Sequence, residues 1–239
     1  MRIVVTHLTR VRGGYICVAG LDLETRRHVR PVLAGGPLPF DLLARYGGPF
    51  DVGRIVDLGP ARPAPRPPHV EDHLVALAQV KPGDAIRGSV FWDLLQRVAK
   101  RTLRDLFGEH LKPIGRNAQG TEVGKGRASL GCLVPAAPPR LWCTEPCGSQ
   151  PGRIRIALGD GQVRAIVGVT DLRLYRHDHM TPDPLGIRRA ADRLAKADPV
   201  ILGVGLTRPF AASRHAPREY HWLQVTNLHF AGEPVWELG

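Results

Sequence analysis

The sequence predicts a mainly β fold with α insertions, an α+β arrangement of two small β-barrel-like units separated by a helical insertion. Three observations carry this. Short runs rich in Val, Ile, Leu and Thr recur from residue 2 to residue 77, bounded by Gly and Pro turns. A helical period over residues 89–107 interrupts them. A second set of strand-like runs with one helix then fills residues 153–230. The units are placed at 1–80 and 138–239, with 81–137 as the insertion and a Gly-rich connector. A chain of 239 residues can bury a core in each.

In the first unit, residues 2–8 (RIVVTHL) form a strand by their β-branched content. Gly13-Gly14 signals a turn into 15–21 (YICVAGL), apolar at both parities and therefore covered on both faces. A third strand spans 28–33, where Pro31 has no N–H for a ladder bond and marks an edge or bulge. Residues 41–46 form a short helix and 52–58 another strand. Residues 59–68 (GPARPAPRPP) are a stiff connector near polyproline geometry, and 69–77 return to strand.

Ser89 is placed to cap the helix of 89–107. Phe91, Leu94, Leu95, Val98, Thr102 and Leu106 recur on its apolar side. Arg97, Lys100, Arg101 and Arg104 occupy the other, a row that suits a phosphate backbone and equally a solvated face. Residues 113–140, rich in Gly and Pro, are expected to wrap the surface as a long loop with one apolar piece at 130–134. Residues 153–158 and 163–169 flank Gly159-Asp160-Gly161-Gln162 as a hairpin, and 172–175 continue as strand. Thr181 and Pro182 open a helix to about residue 197 that buries Leu185, Ile187, Ala191 and Leu194. Arg189, Arg193 and Lys196 lie on its outer face, and Pro199 ends it. Residues 200–230 supply two closing strands around a Thr-Arg-Pro-Phe step. Val5-Thr6-His7-Leu8, Val169-Thr170-Asp171-Leu172 and Val225-Thr226-Asn227-Leu228 echo one another, compatible with duplication, although Val, Thr and Leu are ordinary strand residues.

Composition bounds the function. An apolar share of 43% with 23% charged residues excludes a disordered chain. No run reaches the ~18 apolar residues of a membrane helix, and the N-terminal apolar run is too short for a signal peptide. A cytoplasmic protein without membrane association is expected. The four cysteines do not suggest a disulfide framework, and Cys17 reads as a small core residue. Few Asn and Cys, many Pro and Arg-rich charge suit a thermophile. Net charge is +11, spread as +5, +3 and +3 over 1–68, 69–137 and 138–239, with no basic tail. A polyanion partner would gain affinity from such a surface by counterion release. The 28 Arg against 5 Lys fit equally well a high-GC genome that writes Arg at tolerant positions.

Several clusters suggest chemistry, each with a plainer reading beside it. On a strand, His69, Glu71 and His73 of HVEDH would share a face and suggest a metal; the alternative is a polar strand start with Glu71 or Asp72 pairing an Arg. Cys143 and Cys147 have CxxxC spacing without a second Cys/His pair, and His177-Asp178-His179 alternate in a loop. No metal or cofactor is assigned from these. Gly120–Gly126 (GTEVGKG) is one residue short of a phosphate loop, and Gly126 stands where the Mg²⁺-holding hydroxyl belongs, so nucleotide hydrolysis is rejected. Lys125 and Arg127 there still suit a phosphate backbone. Arg30 and Arg208 each precede a proline, which extends the backbone before it and projects the guanidinium from an irregular edge, to grip a phosphate or base or to tie carbonyls at a strand end. Tyr220, Trp222 and Gln224 share one strand face, either a stacking platform or core. No nucleophile elbow, Rossmann fingerprint or HExxH is present, and no catalytic residue is identified.

Residues 14–20 (GYICVAG) followed by 28–32 (HVRPV), 69–74 (HVEDHL) and the closing LTRPF and HWLQVTNLHF resemble the dual OB-containing domain proteins. The resemblance spans nearly the whole chain. It implies OB-like β-barrels at 1–80 and 138–239 and, by analogy, nucleic-acid binding; it carries no catalytic residues. The stretches 89–107 and 113–140 exceed what two minimal OB barrels need. The expected function is binding of RNA or single-stranded DNA by Arg30, Lys125, Arg127, Arg208 and Trp222. The alternatives are a metal-dependent enzyme acting on nucleic acid or nucleotides, through His69, Glu71 and His73 or through His177 and His179, and a protein-interaction module.

Overall fold

The computed structural model describes residues 1–146, 152–212 and 218–235. The N-terminal half contributes β1 (Arg2–Val11), β2 (Tyr15–Asp22), β3 (His28–Val32), β4 (Leu38–Pro39), β5 (Arg54–Asp57), β6 (Arg62–Pro63), β7 (Asp72–Leu74) and β8 (Lys81–Ala85). Helices α1 (Gly88–Val98) and α2 (Leu103–Phe107) follow. The remainder supplies β9 (Lys112–Ile114), β10 (Ala118–Glu122), β11 (Leu130–Leu133), β12 (Arg140–Cys143), β13 (Ile154–Gly159), β14 (Arg164–Val169), α3 (Pro184–Ala195), β15 (Val200–Leu206), β16 (Phe210–Ala211) and β17 (Glu219–Phe230).

The fold is mostly β, as the sequence predicts, and its strands form two sheets. The first has the order β6-β7-β3-β2-β1-β5-β8, with β4 on β2. The second has the order β11-β15-β17-β14-β13-β12, with β10 and β16 on β17 and β9 on β10. Among the described residues, no helix is long and apolar enough to cross a membrane.

The hairpin β13–β14 forms as expected, with Gly161 at φ 89° in its turn. So does the closing pair β15–β17, which runs in register from Leu206↔Leu223 to Val200↔Phe230 with one bulge. Strand β3 pairs with β2 through His28 and Val29, then passes to β7, parallel, from Arg30 to Val32. Pro31 thus lies where the strand has already left β2, and its missing N–H leaves no carbonyl of β2 unserved.

The single helix of 89–107 is two helices. Lys100 N donates to Cys132 O and Val134 N to Lys100 O, both at 2.9 Å, so the backbone at residue 100 is drawn into a bridge beside β11. Ala99 accordingly turns extended, and Thr102 caps α2 by accepting from Asp105 N. Helix α1 starts one residue before Ser89, with no side-chain cap. Phe91 and Leu95 enter the N-terminal core, whereas Leu103 and Phe107 enter the C-terminal one. One hydrophobic period therefore continues across a break because each half faces a different core.

Residues 113–140 are not a loop: β10 and β11 and the start of β12 lie there, and β9 reaches into it. These strands are three to five residues long and are held by β17 and β15 as partners, so no alternating pattern can announce them. The strand β8 was likewise unmarked; it pairs with β5. Residues 81–137 consequently feed both sheets. Residues 172–174 and 40–46 form 3₁₀ turns, and His69–Glu71 turn before β7 begins. Helix α3 is capped by Asp183 with Pro184 in its first turn; Gly186, Ile187, Ala190 and Leu194 face inward, while Leu185 is 72% exposed.

The three Val-Thr-x-Leu tetrapeptides meet at the seam between the sheets. Val169 pairs with Val225 in parallel register, and Thr170 N donates to Val225 O at 2.9 Å. Leu8 N donates to Asn227 Oδ1 at 2.9 Å, and His7 Nδ1 lies 2.7 Å from Thr226 Oγ1. Asp171, fully buried, accepts from Leu228 N at 3.0 Å and from Arg173 Nε and Nη2 at 2.9 and 2.8 Å. His7 and Asn227, the third residues of two of them, supply polar groups that span the seam, whereas that of the remaining one, Asp171, ties Arg173 to β17.

Candidate nucleic-acid interface

Two acidic residues at the entrance to β7 organise the site. Asp72, buried, accepts from Arg30 Nε at 2.6 Å on one oxygen and from Arg208 Nη2 at 2.8 Å on the other. Glu71 accepts from Ser129 N and Oγ at 2.8 and 2.7 Å and from Leu130 N at 3.2 Å, so it caps the start of β11. Arg30 Nη2 donates to Ser129 Oγ at 3.2 Å and links the two carboxylates. Buried charges persist where each is paired and hydrogen-bonded, which this network achieves. The Arg-Pro steps of β3 and of the 207–210 segment thus converge on one carboxylate, although they lie far apart in the chain.

The two arginines differ in access. The Arg30 side chain is 5% exposed and the Arg208 side chain 54%. Arg30 is occupied within the protein and cannot reach an external phosphate. Arg208 is oriented by Asp72 with much of its fork toward solvent.

His69 lies beneath. The N–H of His221 Nδ1, which donates to Thr207 O at 2.9 Å, also faces His69 Nε2 at 3.2 Å. Burial, then the cations of Arg30 and Arg208 and the ring of His221, push the His69 pKa down to about 2, so the imidazole is neutral. Thr207 also receives Trp222 N on its Oγ1 at 2.9 Å and donates its own N to Trp222 O at 3.0 Å. That pairing joins Trp222 to the residue that precedes Arg208.

Above this buried layer, the first residues of β17 form a small sheet with β9, β10 and β16. Register places Lys112, Gly120 and Trp222 in one row and Glu122, Tyr220 and Phe210 in the next, all on one face. Trp222 packs against Tyr220 and Phe210 at centroid distances of 5.5 and 6.0 Å and donates its indole N–H to Phe210 O. Phe210 is 49% exposed and Trp222 and Tyr220 are half-buried. The other face of the same strands carries Thr121 and His221, which are buried. Lys125, exposed, sits in the turn after β10, held by its N donating to Glu122 O. Gly126 adopts φ 99°, and a Cβ there would stand 2.9 Å from Pro68 Cβ, so only glycine lets this turn close over the segment leading to His69. Arg127 is exposed, but its guanidinium donates to Asp105 O at 3.2 Å and leans on α2.

The structure therefore brings Arg30 and Arg208 together on Asp72, ties Trp222 to Thr207 next to Arg208 in the chain, sets Lys125 on the turn after β10, and directs Arg127 toward α2. The metal reading of HVEDH does not fit. Glu71 is spent on β11, His73 Nδ1 donates to Glu71 O, and His69 faces His221. His179 meets Tyr46 OH at 3.1 Å, and Asp178 accepts from Met180 N and Thr181 N, without His177 joining them. Cys143 is exposed and Cys147 lies outside the described residues. A different trio, His7, His28 and Cys132, offers ligand atoms within 4.8 Å of one another. Sequence reading missed Ser129, Thr207 and His221 because nothing local marks them; only the Asp72 alternative, pairing with an arginine, pointed toward the network.

A family model for the dual OB-containing domain matches residues 1–228. The chain belongs to that family. No curated protein and no solved structure matches it. Membership agrees with the mostly β fold and its two sheets, and the family suggests a binding module.

Proposed function

We propose that the protein binds RNA or single-stranded DNA across the aromatic face of β16–β17–β10 and the rim formed by Arg208. The observations that carry this reading are a half-exposed guanidinium aimed by a buried carboxylate and, across the Thr207–Trp222 pairing next to it in the chain, a cluster of partly open aromatic rings. Arg208 contacts phosphate, Trp222 with Tyr220 and Phe210 stacks on bases, and Lys125 and Lys112 add charge along the strand. Arg30 positions Arg208 through Asp72 instead of touching the ligand. Arg127 contributes charge from the side of α2.

Fluorescence anisotropy with labelled single-stranded RNA, single-stranded DNA and duplex, measured across a salt series, tests the reading. Binding is expected to favour single strands and to weaken roughly log-linearly with salt. Absence of binding at low salt defeats it. A protein partner that co-purifies without nucleic acid, and whose binding is lost on removal of Phe210, would transfer this face to protein recognition.

A further inference from the structure

We propose that His7, His28 and Cys132 form a site for one transition-metal ion of the zinc type, which ties the two sheets together. The residues come from β1, from the start of β3 and from β11, so two ligands belong to the first sheet and one to the second. Each offers one ligand atom, and the three atoms lie within 4.8 Å of one another. Cys132 Sγ is 3.9 Å from His28 Nε2, and the two imidazole rings are tilted with centroids 5.3 Å apart. Tetrahedral zinc with one sulfur and two nitrogen ligands holds them about 3.3–3.6 Å apart, so closure from a spread within 4.8 Å needs a contraction of at most about 1.5 Å. His28, half-buried at the beginning of its strand, is the ligand nearest solvent.

Independent features prepare the site. His7 is 2% exposed, and its Nε2 is buried with no hydrogen-bond partner. Its Nδ1 lies 2.7 Å from Thr226 Oγ1. With the proton on Nδ1 and donated to that hydroxyl, Nε2 presents a lone pair, the arrangement that orients a metal-bound histidine. Gly203 makes this contact sterically possible, since a Cβ there would stand 2.8 Å from Thr226 Oγ1 and 2.9 Å from His7 Nδ1. One thiolate and two imidazoles form a borderline-soft donor set that selects zinc over magnesium or calcium. Binding releases the Cys132 thiol proton to solvent, and the thiolate offsets one of the ion's two charges. The cations facing the trio are Arg30, already paired to Asp72, and the neutral ring of His229 adds no charge. A water or an incoming ligand completes the fourth position. The site is separate from the aromatic face, and the proposal stands whether or not nucleic acid binds there.

The test uses the full chain, freed of metal by chelation and then titrated with Zn²⁺ and with Co²⁺. About one equivalent should bind, and the cobalt form should show a thiolate-to-metal charge-transfer band. Cys132→Ser should abolish that band, whereas a Cys143→Ser/Cys147→Ser double variant should retain it. Because Cys132 is buried, His28→Gln provides a second arm: affinity should fall at least about tenfold with the circular dichroism spectrum unchanged. Zn²⁺ should raise the unfolding midpoint of the parent and leave that of His28→Gln in place. No uptake by the folded chain, uptake without the charge-transfer band, or parent affinity in both variants overturns the proposal.

Discussion

Replacing Arg208 by Ala separates recognition from stability at the proposed interface. The guanidinium gives one hydrogen bond to Asp72 at 2.8 Å, and its side chain is 54% exposed, so solvent screens the pair. Loss of such a pair costs about 0–1 kcal/mol of stability. Asp72 keeps Arg30 at 2.6 Å, so no buried charge is abandoned. Loss of a charged hydrogen bond to phosphate costs about 1.5–3 kcal/mol of binding, a roughly 10- to 150-fold weaker Kd at about 1.4 kcal/mol per decade. One fewer phosphate contact on a single strand should flatten the log–log salt slope by about 0.7. Arg208→Lys should keep most of that slope while losing affinity, since it preserves charge without the planar fork. Anisotropy titrations over a salt series, with urea denaturation alongside, read both effects. A well-folded Arg208→Ala protein with parent affinity and slope would refute the interface. Arg30→Ala should show the opposite profile, destabilised by about 3–5 kcal/mol because Asp72 would be left buried with only a solvent-facing partner.

Trp222→Ala should weaken single-strand binding by about 1–3 kcal/mol with the salt slope unchanged, because stacking releases no counterions; anisotropy at fixed salt measures it. Asp171→Ala should destabilise the fold by about 3–5 kcal/mol in urea, since it removes the buried carboxylate that pairs with Arg173 and accepts from Leu228 N. Gly203→Ala should lower stability by about 1–3 kcal/mol through the clash of its Cβ with Thr226 Oγ1 and His7 Nδ1, read as a lower thermal midpoint. Acidification should destabilise the protein in the histidine range. Burial holds His28 and His229 at about 4 and, with neighbouring cations, His69 at about 2. The unfolded chain then binds more protons than the native one below about pH 6.5. The stability these neutral imidazoles permit is complete above that value and declines as pH falls toward their native pKa values. Urea midpoints from pH 8 to 5 should therefore decrease, and a flat profile would contradict the assignment.

Much of the outer architecture was legible in the chain. β1, β2, the Asp160-Gly161 hairpin and the closing pair announce themselves because each is long enough to show β-branched content between turn residues. Helix α3 is legible from its apolar period, although it starts at Asp183 and Pro184 instead of Thr181 and Pro182, and Gly186 and Ala190 face inward where the period points to Leu185. The break at 99–102 was hidden, since a backbone bond from Lys100 to Cys132 O has no sequence signature. The short strands between 112 and 143 were hidden for a related reason: their stability resides in partners far along the chain.

The same division holds for the site. Local rules alone single out Arg30 and Arg208, because proline after an arginine constrains the backbone wherever it occurs. Strand parity alone pairs Tyr220 with Trp222. Tertiary structure decided that both arginines share Asp72, that one is sealed and the other open, and that His7, His28 and Cys132 gather from three strands. Those outcomes depend on register and crossing between distant segments, and the side chains concerned are too far apart in sequence for any periodicity to relate them.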